Sequence, residues 1–148
     1  MKKYTIGALF TPHFRRVLLI HKQRPEWQKG KLNLPCGHIE DDEDGPYCVA
    51  REFEEEAGIW ILPEEWRSIG KIVNDGNYVV EFLTTIYHEK IHKLIKFDLT
   101  DEPIMWCDVN ALPENCISNL HWLIPFALNT WKQGNADYLT FGTFNYQY

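Results

Sequence analysis

Between residues 37 and 59 the chain reads GHIEDDEDGPYCVAREFEEEAGI, and no other stretch limits the fold so tightly. Gly45 and Pro46 suit a helix start, because proline tolerates the first helical turn and fixes φ there, and Gly58 suits a left-handed stop. A short helix between them places Glu52, Glu55 and Glu56 at i, i+3 and i+4, so that their carboxylates share one face. Val49, Ala50, Phe53 and Ala57 supply an apolar stripe for the core. One side packs and the other is anionic. Clustered carboxylates repel unless cations neutralise them, and hard oxygen donors with few nitrogen or sulfur partners point to Mg²⁺ or Mn²⁺. A solvated acidic face is the competing reading of such a charge run.

The spacing separates the two. Five residues lie between Gly37 and Glu43, seven more lead to Arg51-Glu52, and Phe53, Glu55, Glu56, Gly58 and Ile59 follow at fixed offsets. This pattern resembles the Nudix box, the signature of hydrolases acting on nucleoside diphosphates linked to another group. The resemblance implies an α/β fold, a single-domain α/β/α sandwich with a mixed β-sheet spanning residues 1–148. It further implies Glu55 and Glu56 as leading metal ligands, the Cys36 backbone carbonyl completing the shell, and Glu52 as ligand or as general base. Arg51 is expected to orient a box carboxylate, and Glu43 to reach the metal through water. Nudix enzymes differ in their base, and Asp101 and Glu102 occupy about the place where some carry a later carboxylate; an acidic turn before Pro103 is the alternative reading of that pair. Cys36 departs from the pattern, standing where the family most often has a second glycine. Any residue supplies a carbonyl, but not every residue tolerates φ > 0. His38 stands where many members have lysine.

Length and composition agree with one globular unit. The chain has 148 residues, 45% of them hydrophobic and 14% aromatic, enough to bury a sizeable core. A net charge of −6 disfavours a nucleic-acid polymer as partner, since such binding relies on Lys and Arg neutralising phosphates. A small nucleotide remains compatible through bridging metal. Cys36, Cys48, Cys107 and Cys116 form no CxxC pair and no disulfide framework is expected. Without a signal-like or membrane-length apolar run, the expectation is a soluble cytoplasmic protein with no membrane partner. A homodimer is a family inference only.

Residues 4–10 alternate before Pro12 and read as a strand, with a turn over 11–15; residues 16–22 carry the run VLLI, typical of a strand buried on both faces. Residues 23–31 form a polar loop whose Trp27 either lies over a ligand or covers the core edge. Residues 32–35 extend into the box. Beyond it come a turn at 63–66 and strands at 67–74 and 78–88 joined by Asp75-Gly76, a hairpin signal. Residues 90–99 have no clear pattern. A further strand is expected at 105–109, and a helix at 117–131 that Pro125 should kink or begin. The aromatic tail from 134 onward is placed only as a docking strand or a dimer contact.

His88-Glu89-Lys90-Ile91-His92 matches HExxH, the two-histidine zinc motif of metalloproteases. That chemistry needs both histidines one turn apart on a helix, whereas the preceding residues read as a strand, so two surface histidines in a strand-to-loop stretch are expected.

Specificity lies outside the box. Asn33 sits four residues before Gly37, where mammalian oxidised-purine nucleoside triphosphatases carry a base-contacting Asn, and Asn119 falls near where those enzymes place an acidic pair. The acidic pair is absent, and both amides have an alternative role in satisfying loop backbone. The expected activity is Mg²⁺-dependent hydrolysis of a nucleoside or deoxynucleoside triphosphate to the monophosphate and pyrophosphate. ADP-ribose or a nucleotide sugar is the rival within the class, and a nucleotide-binding sensor without turnover the rival outside it.

Overall fold

The structure, a computed structural model, describes residues 1–74, 76–93, 101–132 and 142–145. Strand β1 (Lys2–Phe10) runs through the middle of a mixed sheet that has eight strands among the described residues. It pairs parallel with β6 (Tyr78–Ile86) along its whole length, from Lys2 opposite Tyr78 to Phe10 opposite Ile86. Its other edge is shared between β4 (Cys36–His38), antiparallel to residues 4–6, and β2 (Arg16–His21), which joins at Phe10 and Val17. β2 continues the sheet antiparallel to β3 (Leu32–Asn33) and β7 (Ile104–Asp108). On the far side β5 (Arg67–Asn74) is antiparallel to β6 and parallel to β8 (Gly142–Asn145), so part of the aromatic tail is a docked strand.

Strand side chains alternate between faces, and neighbouring residues accordingly enter different cores. Leu9, Leu18 and Leu83 pack with Val49, Ala50, Phe53 and Ala57 of helix α1 (Gly45–Ala57). Phe10, Leu19 and Phe82, one residue along each strand, pack instead with Leu120, Leu123, Ile124 and Ala127 of helix α2 (Leu120–Lys132). The run VLLI is therefore buried on both faces, as expected of a central strand. Asp44 caps α1 by accepting from the Tyr47 N–H at 2.9 Å, Pro46 lies in its first turn, and Gly58 ends it at φ 70° with its N–H on the Glu54 carbonyl. An Asp just before a Gly-Pro start is a recognisable N-cap signal.

Several boundaries shift. α2 begins at Leu120 rather than at 117, and Pro125 lies inside it, depriving the helix of the bond that an N–H at 125 would give to the His121 carbonyl. The strand placed at 78–88 ends at Ile86, and the one at 105–109 spans Ile104–Asp108. Gly76 takes φ 80° in the β5–β6 hairpin, whereas Asp75, residues 94–99 and most of the tail lie outside the described residues. Among the described residues no helix is long and apolar enough to cross a membrane.

Gly7 sets how deeply α1 settles on β1. A Cβ there would stand 2.5 Å from Val49 Cγ2 and 2.6 Å from Phe53 Cε2, both fully buried, so neither can move aside without disturbing the core. Gly7→Ala is therefore expected to destabilise the protein by about 1–3 kcal/mol, the usual cost of overpacking. Urea unfolding of the two proteins checks this, and an unchanged midpoint would show that the helix can retreat freely.

Candidate active site

A cavity of about 750 Å³ opens where the strand that begins the box meets the last turn of α1. β1, β5 and β6 contribute Tyr4, Ile6, Ile72, Tyr78 and Val80, the approach to α2 adds Ile117 and Asn119, and α2 itself adds Trp122. β4 supplies Cys36, Gly37 and His38, α1 supplies Glu56, and the segment from the end of β2 supplies Lys22, Arg24, Trp27 and Gln28, with Asn33 and Glu102 beside them. An apolar, aromatic lining thus meets a charged one.

The anionic face of α1 is held by Arg51. Its guanidinium donates to both Glu43 oxygens at 3.1 and 2.7 Å, to Glu52 Oε1 at 2.7 Å, to Glu55 at 3.5 Å and to the His38 carbonyl at 3.1 Å. The Arg51 hydrogen bonds to Glu43 outweigh its burial and bring its carboxyl down to about 2. Glu43 is thereby committed to Arg51, and its side chain is almost wholly buried. The Glu52 carboxylate packs against Gly37, where any Cβ would overlap it, and burial raises its pKa above the ordinary carboxylate value although Arg51 pulls the other way. Cys36 lies outside the left-handed region, since the non-glycine residues with positive φ among those described are His13 and Phe14, so its replacement of glycine brings no such strain.

The three box carboxylates do not share one environment. Glu55 is largely exposed, Glu52 lies under Gly37, and Glu56 faces the cavity. Burial pushes the Glu56 carboxyl up to about 7 against the pull of Lys22, whose Nζ lies 3.7 Å from Oε1. Glu56 Oε2 is buried without a hydrogen-bond partner. A carboxylate oxygen buried without a partner, on a residue that lines the cavity, fits a divalent cation. Among the described residues no three His, Cys, Asp or Glu side chains converge as a ready-made metal site, and Glu52 and Glu56 are paired instead with Arg51 and Lys22.

Glu102 anchors a loop. Its Oε2 accepts from the Gln23 N–H at 2.8 Å and lies 3.4 Å from Lys22 Nζ, while Arg24 forms a two-pronged pair with Asp101 at 2.7 and 2.8 Å. Burial raises the Glu102 carboxyl, but these donors outweigh it and leave the pKa below the ordinary value. The segment bearing Trp27 is thus tied to the residues preceding β7. Trp27 is 57% exposed at the cavity, so it overhangs the opening rather than covering the core.

Asn33 and Asn119 both line the cavity but differ in what they can offer. Asn33 Oδ1 accepts from the Leu34 N–H at 2.8 Å and its Nδ2 donates to Gln28 at 3.0 Å. Asn119 Oδ1 is buried with no partner. Lys22, Trp122 and Gln28 escaped the sequence reading; a lysine closing an otherwise apolar buried strand was the available signal for the first.

The HExxH residues require a correction. Residues 88–92 form a turn, closed by the His92 N–H on the His88 carbonyl at 2.7 Å, and His92 is buried rather than at the surface. His92 Nδ1 accepts from the His88 N–H at 2.9 Å, which leaves the ring proton on Nε2, 3.2 Å from Glu65 Oε1. Both ring nitrogens are committed, and no zinc ligand pair results.

Two carboxylates of the box should respond oppositely to neutral substitution. Glu56, raised above its ordinary 4.5, contributes stability that is full below about pH 4.5 and lost as pH rises through about 7. Glu56→Gln should therefore stabilise the metal-free protein by ~2 kcal/mol at pH 8 and leave it unchanged near pH 4. Glu43, lowered to about 2, contributes stability that is full above its ordinary 4.5 and lost progressively as pH falls from there through about 2. Glu43→Gln should cost about 2 kcal/mol at pH 7 and less at pH 3.5. Urea titrations of both variants against pH measure the two signs.

The NUDIX domain family matches residues 1–126 of the chain. No curated protein matches. Among solved structures, the mutator MutT protein from Bacillus halodurans aligns at TM-score 0.71 and 20% identity over 99% of this chain and 91% of its own. The NUDIX domain of Shewanella oneidensis NrtR, complexed with ADP ribose, aligns at 0.65 and 19% identity over 86% of each. The MutT NUDIX hydrolase from Burkholderia pseudomallei aligns at 0.64 and 21% identity over 84% of this chain and 95% of that one. The two-faced mixed sheet is the Nudix α/β/α sandwich, and with the box and the match over residues 1–126 the chain belongs to the NUDIX family.

Proposed function

We propose that this protein is a divalent-metal-dependent pyrophosphohydrolase that converts a nucleoside or deoxynucleoside triphosphate to the monophosphate and pyrophosphate. One observation carries the reading. The cavity brings the box carboxylate Glu56 and the cations Lys22 and Arg24 together with an aromatic lining and Asn119, whose Oδ1 has no partner, a combination suited to a phosphate chain and a base in one ligand. Glu55 and Glu56, with the Cys36 carbonyl, would hold Mg²⁺ or Mn²⁺. When bound, the metal supplies charge neutralisation on the phosphate oxygens and lowers the pKa of the attacking water.

The chain's own groups do the rest. Trp27 and Trp122 offer faces against which a base can stack, and Asn119 offers an edge to read it. Arg51 fixes the Glu52 carboxylate, and Glu52, raised by burial, takes the proton from the attacking water. A new P–O bond forms to that oxygen as the bridging P–O bond breaks and pyrophosphate leaves. Glu102 serves as an anchor in this scheme, since its donors stabilise the ionised form and keep it a weak base.

ADP-ribose is the second reading, favoured by the ADP-ribose complex of the Shewanella domain of similar fold. Phosphate and pyrophosphate release is to be followed over nucleoside triphosphates, ADP-ribose, nucleotide sugars and dinucleoside polyphosphates with Mg²⁺ or Mn²⁺. Triphosphates should turn over, and Glu55→Gln and Glu56→Gln should each lower kcat on the order of 10³-fold while the circular dichroism stays unchanged. Asn119→Ala should lower kcat/KM about tenfold or more. Near-wild-type turnover in both glutamate variants would sink the metal assignment. Turnover of ADP-ribose alone would select the second reading, and tight nucleotide binding without turnover a sensor.

A further inference from the structure

Lys22 follows β2 directly, with a side chain only 6% exposed. An ammonium so far from water is tolerated only where anions compensate it, and here the anions come from two separate elements. Glu56 of α1 lies 3.7 Å from Nζ and Glu102, just before β7, lies 3.4 Å from it. Glu102 is also engaged by the backbone N–H groups of residues 23 and 24, so it is held independently of Lys22. Glu56 keeps its second oxygen without a partner. A single lysine therefore occupies one side of the carboxylate that, in the reading above, also receives the divalent cation.

We infer that Lys22 is an internal counter-cation that competes with the divalent metal for Glu56, so that the protein alone holds metal weakly and a nucleotide's phosphates, by accepting Lys22, release Glu56 to it. This inference rests on the metal-dependent reading of the site. Its physical basis is Coulombic: Lys22 and a divalent cation would be like charges sharing the Glu56 carboxylate, and their repulsion there, even when screened by an effective dielectric constant of about 20, lowers the affinity for metal by at least about tenfold. Lys22 lines the same cavity as the aromatic groups proposed to take the base, so a phosphate chain entering there reaches it. Linkage then requires reciprocity: the nucleotide that removes Lys22 from Glu56 raises the affinity for metal, and metal raises the affinity for nucleotide. A lysine present only to support the fold would give the opposite result on removal, since a disordered site binds metal less well.

The test measures Mn²⁺ binding by electron paramagnetic resonance, without nucleotide and then with a non-hydrolysable α,β-methylene triphosphate. Lys22→Met should bind Mn²⁺ without nucleotide at least about tenfold more tightly than wild type, and the enhancement produced by nucleotide should shrink in proportion. Lys22→Arg, which keeps the charge, should stay near wild type. If Lys22→Met fails to fold, Lys22→Met combined with Glu102→Gln is compared with Glu102→Gln alone, where the same tightening is expected. Binding that is unchanged or weaker without the lysine overturns this inference and leaves the metal reading standing. No Mn²⁺ bound by any of these proteins, with or without nucleotide, overturns both.

Discussion

Placing an acidic helix face against a sheet edge is first a problem of charge, and one guanidinium solves it. Arg51 joins Glu43 in the loop before α1, Glu52 and Glu55 on α1, and the His38 carbonyl at the end of β4. Strand, loop and helix are thereby tied through one planar group whose donors match carboxylate geometry. Without it, Glu43 and Glu52 would be nearly buried anions with no cation, a condition costing several kcal/mol. The floor of the cavity depends on this arrangement. Gly37 can lie on the Glu52 carboxylate only while that carboxylate is held in place, and Gly37 is where the strand meets the site.

The same economy governs how the helix reaches the sheet. β1 and β6 send alternate residues to opposite faces, so each strand serves two cores at once, and the closeness of α1 is set where Gly7 lacks a side chain. That closeness brings Glu56 within reach of Lys22 beyond the end of β2. A missing methyl on one strand and an ion pair at another thus belong to one construction. Packing sets the distance and charge makes the distance tolerable.

What could be read from the sequence was what depends on local chemistry. The limits of α1 follow from Gly45, Pro46 and Gly58, residues whose backbone preferences act on the spot, and β5 at Arg67–Asn74 has the expected bounds. The α/β/α sandwich with a mixed sheet followed from the resemblance and from the order of segments. Partnerships between remote residues were not legible. Lys22 and Glu102 are far apart in the chain, and the pairing of β2 with β7 brings them together. His92 looked like a surface residue because nothing near it in sequence indicates that Glu65 would meet its ring. Asn33 and Asn119 are alike as candidates in sequence, and only their neighbours show that one amide oxygen is already used and the other is not.

The distribution of charge bears on how so acidic a chain could receive the anionic ligand proposed for it. The net charge of −6 would repel a nucleotide at long range, but the cavity carries Lys22 and Arg24 on its lining, and local charges dominate within a Debye length. Both cations are already paired, Arg24 with Asp101 and Lys22 with Glu56 and Glu102. A phosphate chain arriving alone would leave carboxylates without counter-ions, and a divalent cation arriving alone would face a resident lysine. A ligand that brings both signs together exchanges each pair for another without leaving a buried charge exposed, which is the least costly way to enter a site whose charges are balanced beforehand.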